Sequence, residues 1–214
     1  MAKAVHLTTA HNPFDVRIFH KECRTLAQAG YDVVLIVPHT HDEMVEGVRI
    51  RAVPKPRGRV QRMFCTTWHV FWTAIQEGAD LYHFHDPELI LSGLLLRWLT
   101  KAKVIYDVHE DNVASLHQKE YLPRWLRSPL AALMEHLEKA SGALFSVVIA
   151  EKYYARRFPK AVPILNYPQI DLALEPTRRD SRVGRSRLLY TGTVGRERGA
   201  LIYAQIARML PDVE

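Results

Sequence analysis

Cysteine is scarce in this chain of 214 residues: only Cys23 and Cys65 occur, and neither belongs to a metal or redox spacing. A disulfide-stapled fold and a cysteine-based zinc centre are therefore excluded. Both residues fall within predicted helices and are expected to be reduced core thiols of a cytosolic protein. Long apolar runs are also missing. The longest, from Leu89 to Leu99, is broken by Ser92, Gly93 and Arg97, well short of the ~20 residues that span a bilayer. No leader segment is evident, because a strand pattern begins at Ala4. A soluble or peripheral protein is the expectation. Nor is there an acidic excess. The net charge is +6, which favours anionic partners such as nucleotides, phospholipid surfaces or nucleic acid without selecting one. No nucleic-acid-binding motif accompanies that charge, so nucleic acid is not an expected partner.

What is present is a regular alternation of strand and helix patterns. Residues 4–9 read as a strand, and the apolar residues Ile18, Phe19, Cys23, Leu26 and Ala27 recur at helical spacing until Gly30. The run 32–37 is almost continuously apolar, as expected of a parallel strand covered on both faces. Residues 39–46 read as loop, 48–53 as a strand nearer the sheet edge, and 60–76 as a helix. Strands at 81–84 and 103–108, helices at 87–100 and 128–139, a buried strand at 143–150, a short helix through Tyr153 and Arg157 and a closing segment at 162–166 complete the pattern. The expected fold is α/β, a doubly wound, Rossmann-like parallel sheet. Residues 1–168 form one domain and 169–187 a basic linker with five arginines. Residues 188–214 supply one further strand, a glycine-rich turn and a helix, the truncated start of a second α/β unit.

In a doubly wound sheet, ligands bind at the carboxyl ends of the strands where the strand order reverses. That crevice would gather His11, Asn12, Asp15 and Arg17 from the first loop. It would also gather His85, Asp86 and Glu88 from the stretch Leu81–Glu88, and His109, Glu110 and Asp111 from the next strand end. Imidazoles and carboxylates there suit binding of sugar hydroxyls or proton transfer. Each residue also has a structural use. Asp15 suits the cap of the first helix as well as a ligand contact, and Asp86 and Glu88 read first as helix-starting residues around Pro87. His6 and His83 lie inside strands and read as satisfied core histidines. His109 stands just past a buried strand beside two acids and is the leading candidate for chemistry.

The spacing His83-x-His85-Asp86, with His109 nearby, superficially resembles a metal-binding hydrolase pattern. Alternate strand residues need not reach the crevice, and no further ligand cluster follows, so no protein-held metal is expected. The turn Gly192-x-x-Gly195-x-x-x-Gly199 lies between a strand and a helix, the setting a diphosphate loop needs, with Arg196 and Arg198 as the added charge. Arg57, Arg59 and Arg62 are mixed with Met63, Phe64, Trp68 and Trp72. This segment suits an anionic membrane or an amphiphilic acceptor, although core packing is the expected use of most of its aromatics.

Taken jointly, these motifs resemble the N-terminal half of a GT-B glycosyltransferase of family 4. The resemblance rests on Asp15-Val16-Arg17-Ile18-Phe19-His20-Lys21-Glu22 with Ala29-Gly30-Tyr31-Asp32-Val33, on His85-Asp86-Pro87-Glu88-Leu89, and on Lys103 through Glu110. Asn166-Tyr167-Pro168 and Leu189-Tyr190-Thr191-Gly192 with Arg196 and Gly199 add to it. It implies retaining transfer of a sugar from a nucleotide-sugar donor, bound as a substrate with no further cofactor, to a hydroxyl of a carbohydrate or lipid-linked acceptor. Surface polysaccharide or glycolipid synthesis is the implied setting, in the cytoplasm or peripherally on the inner membrane face. The N-terminal domain would bind the acceptor through Asn12, Asp15, Arg17, His85, Asp86, Glu88 and Glu110. His109 would contact the transferred sugar, and Gly192, Arg196 and Arg198 would face the donor diphosphate. Many members have a Gly-Gly first loop where this chain has Asn12-Pro13-Phe14-Asp15. The family's acidic ribose-gripping motif lies further on than residue 214, so these residues alone are expected to be inactive. The competing expectation is a non-enzymatic binding or regulatory module that pairs with another chain, a missing C-terminal half in particular.

Overall fold

The computed structural model describes residues 1–119, 121–168, 188–190, 192, 194–195 and 198–210. The chain divides into two compact units, Met1–Tyr167 and Pro168–Glu214.

The first unit is built on one eight-stranded sheet. Its strands are β1 (Lys3–Leu7), β2 (Asp32–Pro38), β3 (Glu43–Val45), β4 (Val48–Val53), β5 (Leu81–Phe84), β6 (Lys103–Val108), β7 (Ser146–Ile149) and β8 (Val162–Pro163), in the order β3-β4-β2-β1-β5-β6-β7-β8. All neighbours are parallel except the edge pair β3–β4. The order reverses between β1 and β5, so the doubly wound expectation holds and the crevice falls where those two strands end. Residues 39–46 are not all loop. Glu43–Val45 forms a short antiparallel edge strand against Val48–Ile50, turned by Glu46 and Gly47 at positive φ.

The helices are α1 (Arg24–Gln28), α2 (Arg59–Gln61), α3 (Thr67–Glu77), α4 (Ile90–Thr100), α5 (Asn112–Gln118), α6 (Arg124–Leu144) and, in the second unit, α7 (Ala200–Met209). Two of them are entered through wider, π-wound segments, Val16–Cys23 before α1 and Arg62–Thr66 before α3. In the first, the His20 amide reaches back five residues to the Asp15 carbonyl at 3.2 Å. That winding brings residues five apart towards one face, so Ile18 and Cys23 turn to the sheet together, as do Arg17 and Glu22.

Strand alternation divides the core in two. On one face, Val5, Leu7, Tyr82, Phe84, Tyr106 and Val108 pack with Val70, Phe71, Ala74, Leu89 and Leu96 from α3, α4 and the turn that enters α4. On the other, Val33, Leu35, Val37, Val48 and Ile50 pack with Ile18, Phe19 and Cys23. Fully burying one such aliphatic or phenyl side chain contributes about 1.5–3 kcal/mol. The same alternation puts His6, His83 and Asp107 on this second face, and His6 lies directly opposite His83 in the β1–β5 register.

Several sequence expectations are corrected here. Residues 112–118 form α5, and α6 runs longer than the expected 128–139, absorbing Ala143 and Leu144 so that β7 starts at Ser146. Met63, Phe64, Trp68 and Trp72 are exposed, because the register of α3 gives its sheet-facing positions to Val70, Phe71 and Ala74. Cys65 is exposed on the same segment, whereas Cys23 is buried as expected. Residues 188–190 carry no strand pairing among the described residues, since a strand needs a hydrogen-bonded neighbour. The linker 169–187 lies outside the described residues.

Candidate functional site

The polar residues at the strand ends form two layers. The upper layer surrounds Asp86. The Thr8 hydroxyl and the Thr9 amide donate to Asp86 Oδ2 at 2.7 and 2.6 Å, and His11 Nδ1 lies 3.3 Å from Oδ1. Burial alone would raise the Asp86 carboxyl, but these donors and His11 outweigh it and hold it well below the usual carboxylate range. Burial likewise opposes the charged form of His11. The hydrogen bond and charge of Asp86, with Asp15 and Glu110 adding to them, outweigh burial and raise its imidazole above the ordinary value. His11 Nε2 faces His109 Nε2 at 3.1 Å. Glu88 accepts from the Thr9 hydroxyl at 2.8 Å and pairs with Arg62 Nε at 2.8 Å.

Asp86 and Glu88 therefore do not cap the helix that follows, contrary to the sequence expectation. No side chain caps the first turn after Asp86. Pro87 has no N–H to offer, and the Leu89 amide is taken by the Asp86 carbonyl at 3.0 Å. The two carboxylates turn instead to the threonines after β1. Asp15, by contrast, is a helix cap, accepting from the Arg17 and Ile18 amides at 2.8 and 2.9 Å. Asn12 is exposed, and its side-chain oxygen closes a turn on the Phe14 amide at 3.1 Å. Glu110 is exposed at the rim.

The lower layer centres on Asp107, which is fully buried. Arg17 clamps it with two parallel bonds, Nε to Oδ2 at 2.8 Å and Nη2 to Oδ1 at 2.7 Å, and donates a third to the Ile164 carbonyl at 3.0 Å. His85 Nδ1 lies 3.1 Å and His109 Nδ1 3.3 Å from Asp107 Oδ2. Burial opposes the Asp107 charge, yet the Arg17 bonds and the two imidazoles hold its carboxyl well below the usual range. Beneath this pair, Glu22 from the π-wound segment faces His6, His83 and His85. Burial, with the charge of Asp107, pushes the Glu22 carboxyl up to about 9. Burial first, then the His85 imidazole, lowers His83 to about 3; burial also lowers His85, to about 4, against the opposing hydrogen bond and charge of Asp107. His6 and His83 are buried as expected but not satisfied: the Nε2 atom of each lacks a hydrogen-bond partner.

His11, His85, Asp86, Glu88 and His109 thus come together, whereas Arg17 is spent on Asp107 and Asp15 on the helix start. Asp107 and Glu22 escaped the reading of the sequence as site residues. Their signal was an acid inside the apolar run Val104–Val108 and an acid one residue before the buried Cys23. In the second unit, Gly199 opens α7 at φ +83°, Gly192 and Arg198 are exposed, and Arg196 lies outside the described residues.

The sequence profile described as "Glycosyl transferase 4-like domain" matches residues 16–161. A sucrose-phosphate synthase from Thermosynechococcus elongatus superposes with a TM-score of 0.69 at 17% identity, over 99% of this chain and 60% of its own. A second structure of sucrose-phosphate synthase from that organism, from a twinned crystal, matches with a TM-score of 0.50 at 16% identity, over 98% of this chain and 99% of its own. At these identities the likeness concerns the fold. No curated protein matches the chain.

Proposed function

The chain belongs to the glycosyl transferase 4-like family, and from that premise we propose that its first unit forms the acceptor-side half of a GT-B glycosyltransferase crevice. The observation that carries this reading is the polar wall at the switch point, where Asp86, His11, His109 and Asp107 follow one another in contact between β1, β5 and β6. Such a wall offers a sugar the fixed imidazole and carboxylate partners that hydroxyl groups need.

In the proposed reaction, the bond from the anomeric carbon of the donor sugar to its diphosphate breaks, and a bond to the acceptor hydroxyl oxygen forms with retained configuration. The acceptor proton leaves with the departing diphosphate. His109 is the residue assigned to the transferred sugar. Its Nδ1 is steadied by Asp107 and its Nε2 by His11, so its ring orientation is set before any substrate arrives. Gly192, Arg196 and Arg198 are assigned to the donor diphosphate by their place between a chain segment and the start of a helix. The nucleotide-sugar is proposed to be a substrate, with no further cofactor.

The acceptor is proposed to be carbohydrate or lipid-linked. Exposed Phe64, Trp68 and Trp72 beside Arg57, Arg59 and Arg62 support a peripheral contact with an anionic membrane or an amphiphilic acceptor. The test is saturation-transfer NMR with a panel of oligosaccharides and detergent-solubilised glycolipids. A ligand that binds the wild type and is lost in His109→Ala, with an unchanged circular dichroism spectrum, is the expected result. A ligand bound equally by both proteins contradicts the assignment.

A further inference from the structure

Glycosyl transfer gives no task to His6, Glu22 or His83. We propose that His6 Nδ1, Glu22 Oε2, His83 Nδ1 and His85 Nε2 together hold one divalent transition-metal ion, zinc by the geometry, as a structural centre beneath the crevice.

One ligand atom from each of the four residues lies within 4.8 Å of the other three. Glu22 Oε2 is 3.9 Å from His6 Nδ1, 3.9 Å from His83 Nδ1 and 3.8 Å from His85 Nε2, and the two nitrogens of His6 and His85 are 3.1 Å apart. Ligand atoms at zinc bond lengths of about 2.0–2.1 Å sit about 3.3–3.4 Å apart on a tetrahedron. The observed spacings bracket that value, and drawing Glu22 inwards by about half an ångström would meet it.

The bonding around the cluster points the same way. Both Glu22 carboxylate oxygens are buried and accept no hydrogen bond, which is costly for a carboxylate unless a cation stands beside it. Arg17 Nε stands 3.2 Å from Glu22 Oε1, but its hydrogen bonds go to Asp107, and the three imidazoles face the other oxygen, Oε2. His85 turns Nδ1 to Asp107 at 3.1 Å, leaving Nε2 as the lone-pair donor. That is the carboxylate–histidine–metal arrangement in which the outer carboxylate fixes the ligand ring. His6 and His83 have unpartnered Nε2 atoms, the positions that carry the proton when Nδ1 is the ligand.

The ligands come from three places that the fold alone joins: β1, β5 and the π-wound segment. The i→i+5 winding is what turns Glu22 inwards alongside Arg17. Four protein ligands close the coordination sphere, which marks a structural rather than a catalytic centre. The ion would pin the helix to the switch-point strands directly below Asp107 and His109. Imidazole and carboxylate donors suit zinc, cobalt and nickel in common, and cobalt therefore serves as the spectroscopic probe.

The experiment loads the full chain, stripped with a chelator, with Co²⁺ and then Zn²⁺. One ion per chain by elemental analysis is expected, with the intense visible bands of tetrahedral cobalt and an X-ray absorption shell of three imidazoles and one oxygen. At metal concentrations about a thousand times Kd, Tm should rise by about 10 °C over the chelated protein. His83→Gln should lose the bands and the shift. His41→Gln, an exposed member of the separate His39–His41–Glu43 group, should retain both. A folded wild-type chain that takes up no stoichiometric metal overturns the proposal. So does an octahedral cobalt spectrum, an absorption shell lacking imidazole, or an unchanged spectrum in a folded His83→Gln chain.

Discussion

His11 and His109 face each other Nε2 to Nε2 at 3.1 Å, and each presents Nδ1 to a carboxylate, His11 to Asp86 and His109 to Asp107. Two imidazoles so placed need one proton between their facing nitrogens, and although burial opposes it, Asp86, Asp15 and Glu110 raise the proton affinity of His11 above the ordinary value. The groups facing it are Asp86, Asp15, Glu110 and His109. Because the folded value lies above the ordinary value of 6.5, the stabilisation from charged His11 is fully present below that pH. It is lost as pH rises through the folded value. The Tm difference between wild type and His11→Gln should shrink across that window. A difference that stays constant from pH 5 to pH 9 contradicts the assignment.

The Arg17–Asp107 clamp should be the costliest pair to break. Asp107 is fully buried and Arg17 nearly so, and removing one partner strands the other charge in the interior. Arg17→Met is expected to lose about 3–5 kcal/mol, whereas removing both charges in Arg17→Met/Asp107→Leu should cost less than the sum of the single changes. Urea denaturation of the four proteins of the double-mutant cycle measures this.

Glu77 ends α3 against Lys3, Arg49 and Arg51, with Lys3 Nζ at 2.7 Å and Arg49 Nη1 at 3.1 Å. Burial would raise its carboxyl, but Lys3 and the two arginines outweigh burial and lower it. The stabilisation is therefore present above the ordinary glutamate value near 4.3 and is lost as pH falls through the lower folded value. The arginines are a third exposed, so Glu77→Gln should cost only about 1–2 kcal/mol at pH 7. The two proteins should converge in stability only once the pH has fallen below that lowered folded value.

Gly93 lies on α4 where a Cβ would come within 2.7 Å of the Phe84 ring, which is itself buried and stacked on Tyr106. Gly93→Ala gains about 1 kcal/mol of helix propensity but overpacks the core at a cost of about 1–3 kcal/mol. A net fall in Tm is expected, and a rise would show that Phe84 can move aside.

The doubly wound parallel sheet was legible because β2 is apolar throughout and the helices between strands carry clear periodicity. The crevice residues were legible because polar clusters end β1, β5 and β6. What escaped were features set by tertiary contact. The π winding that turns Glu22 inwards has no local signature in the residues 16–23. Asp86 sits in a sequence suited to helix capping, but the Thr8 and Thr9 donors, 78 and 77 residues away, capture it. Trp68 and Trp72 carry core-like chemistry on the outward face of α3, a choice that the packing of Val70, Phe71 and Ala74 makes.

The assignment of His109 and its neighbours to the sugar-contacting wall of a glycosyltransferase crevice turns on which rings a bound sugar touches. It is tested most directly by proton–carbon NMR of the histidine-ring-labelled chain, titrated with nucleotide-sugars and with the glycans that bind it. The ring signals of His109 and His11 should shift together with a common affinity, while those of His39 and His41 stay in place. Sugar ligands that bind while leaving His109 and His11 unmoved would contradict it.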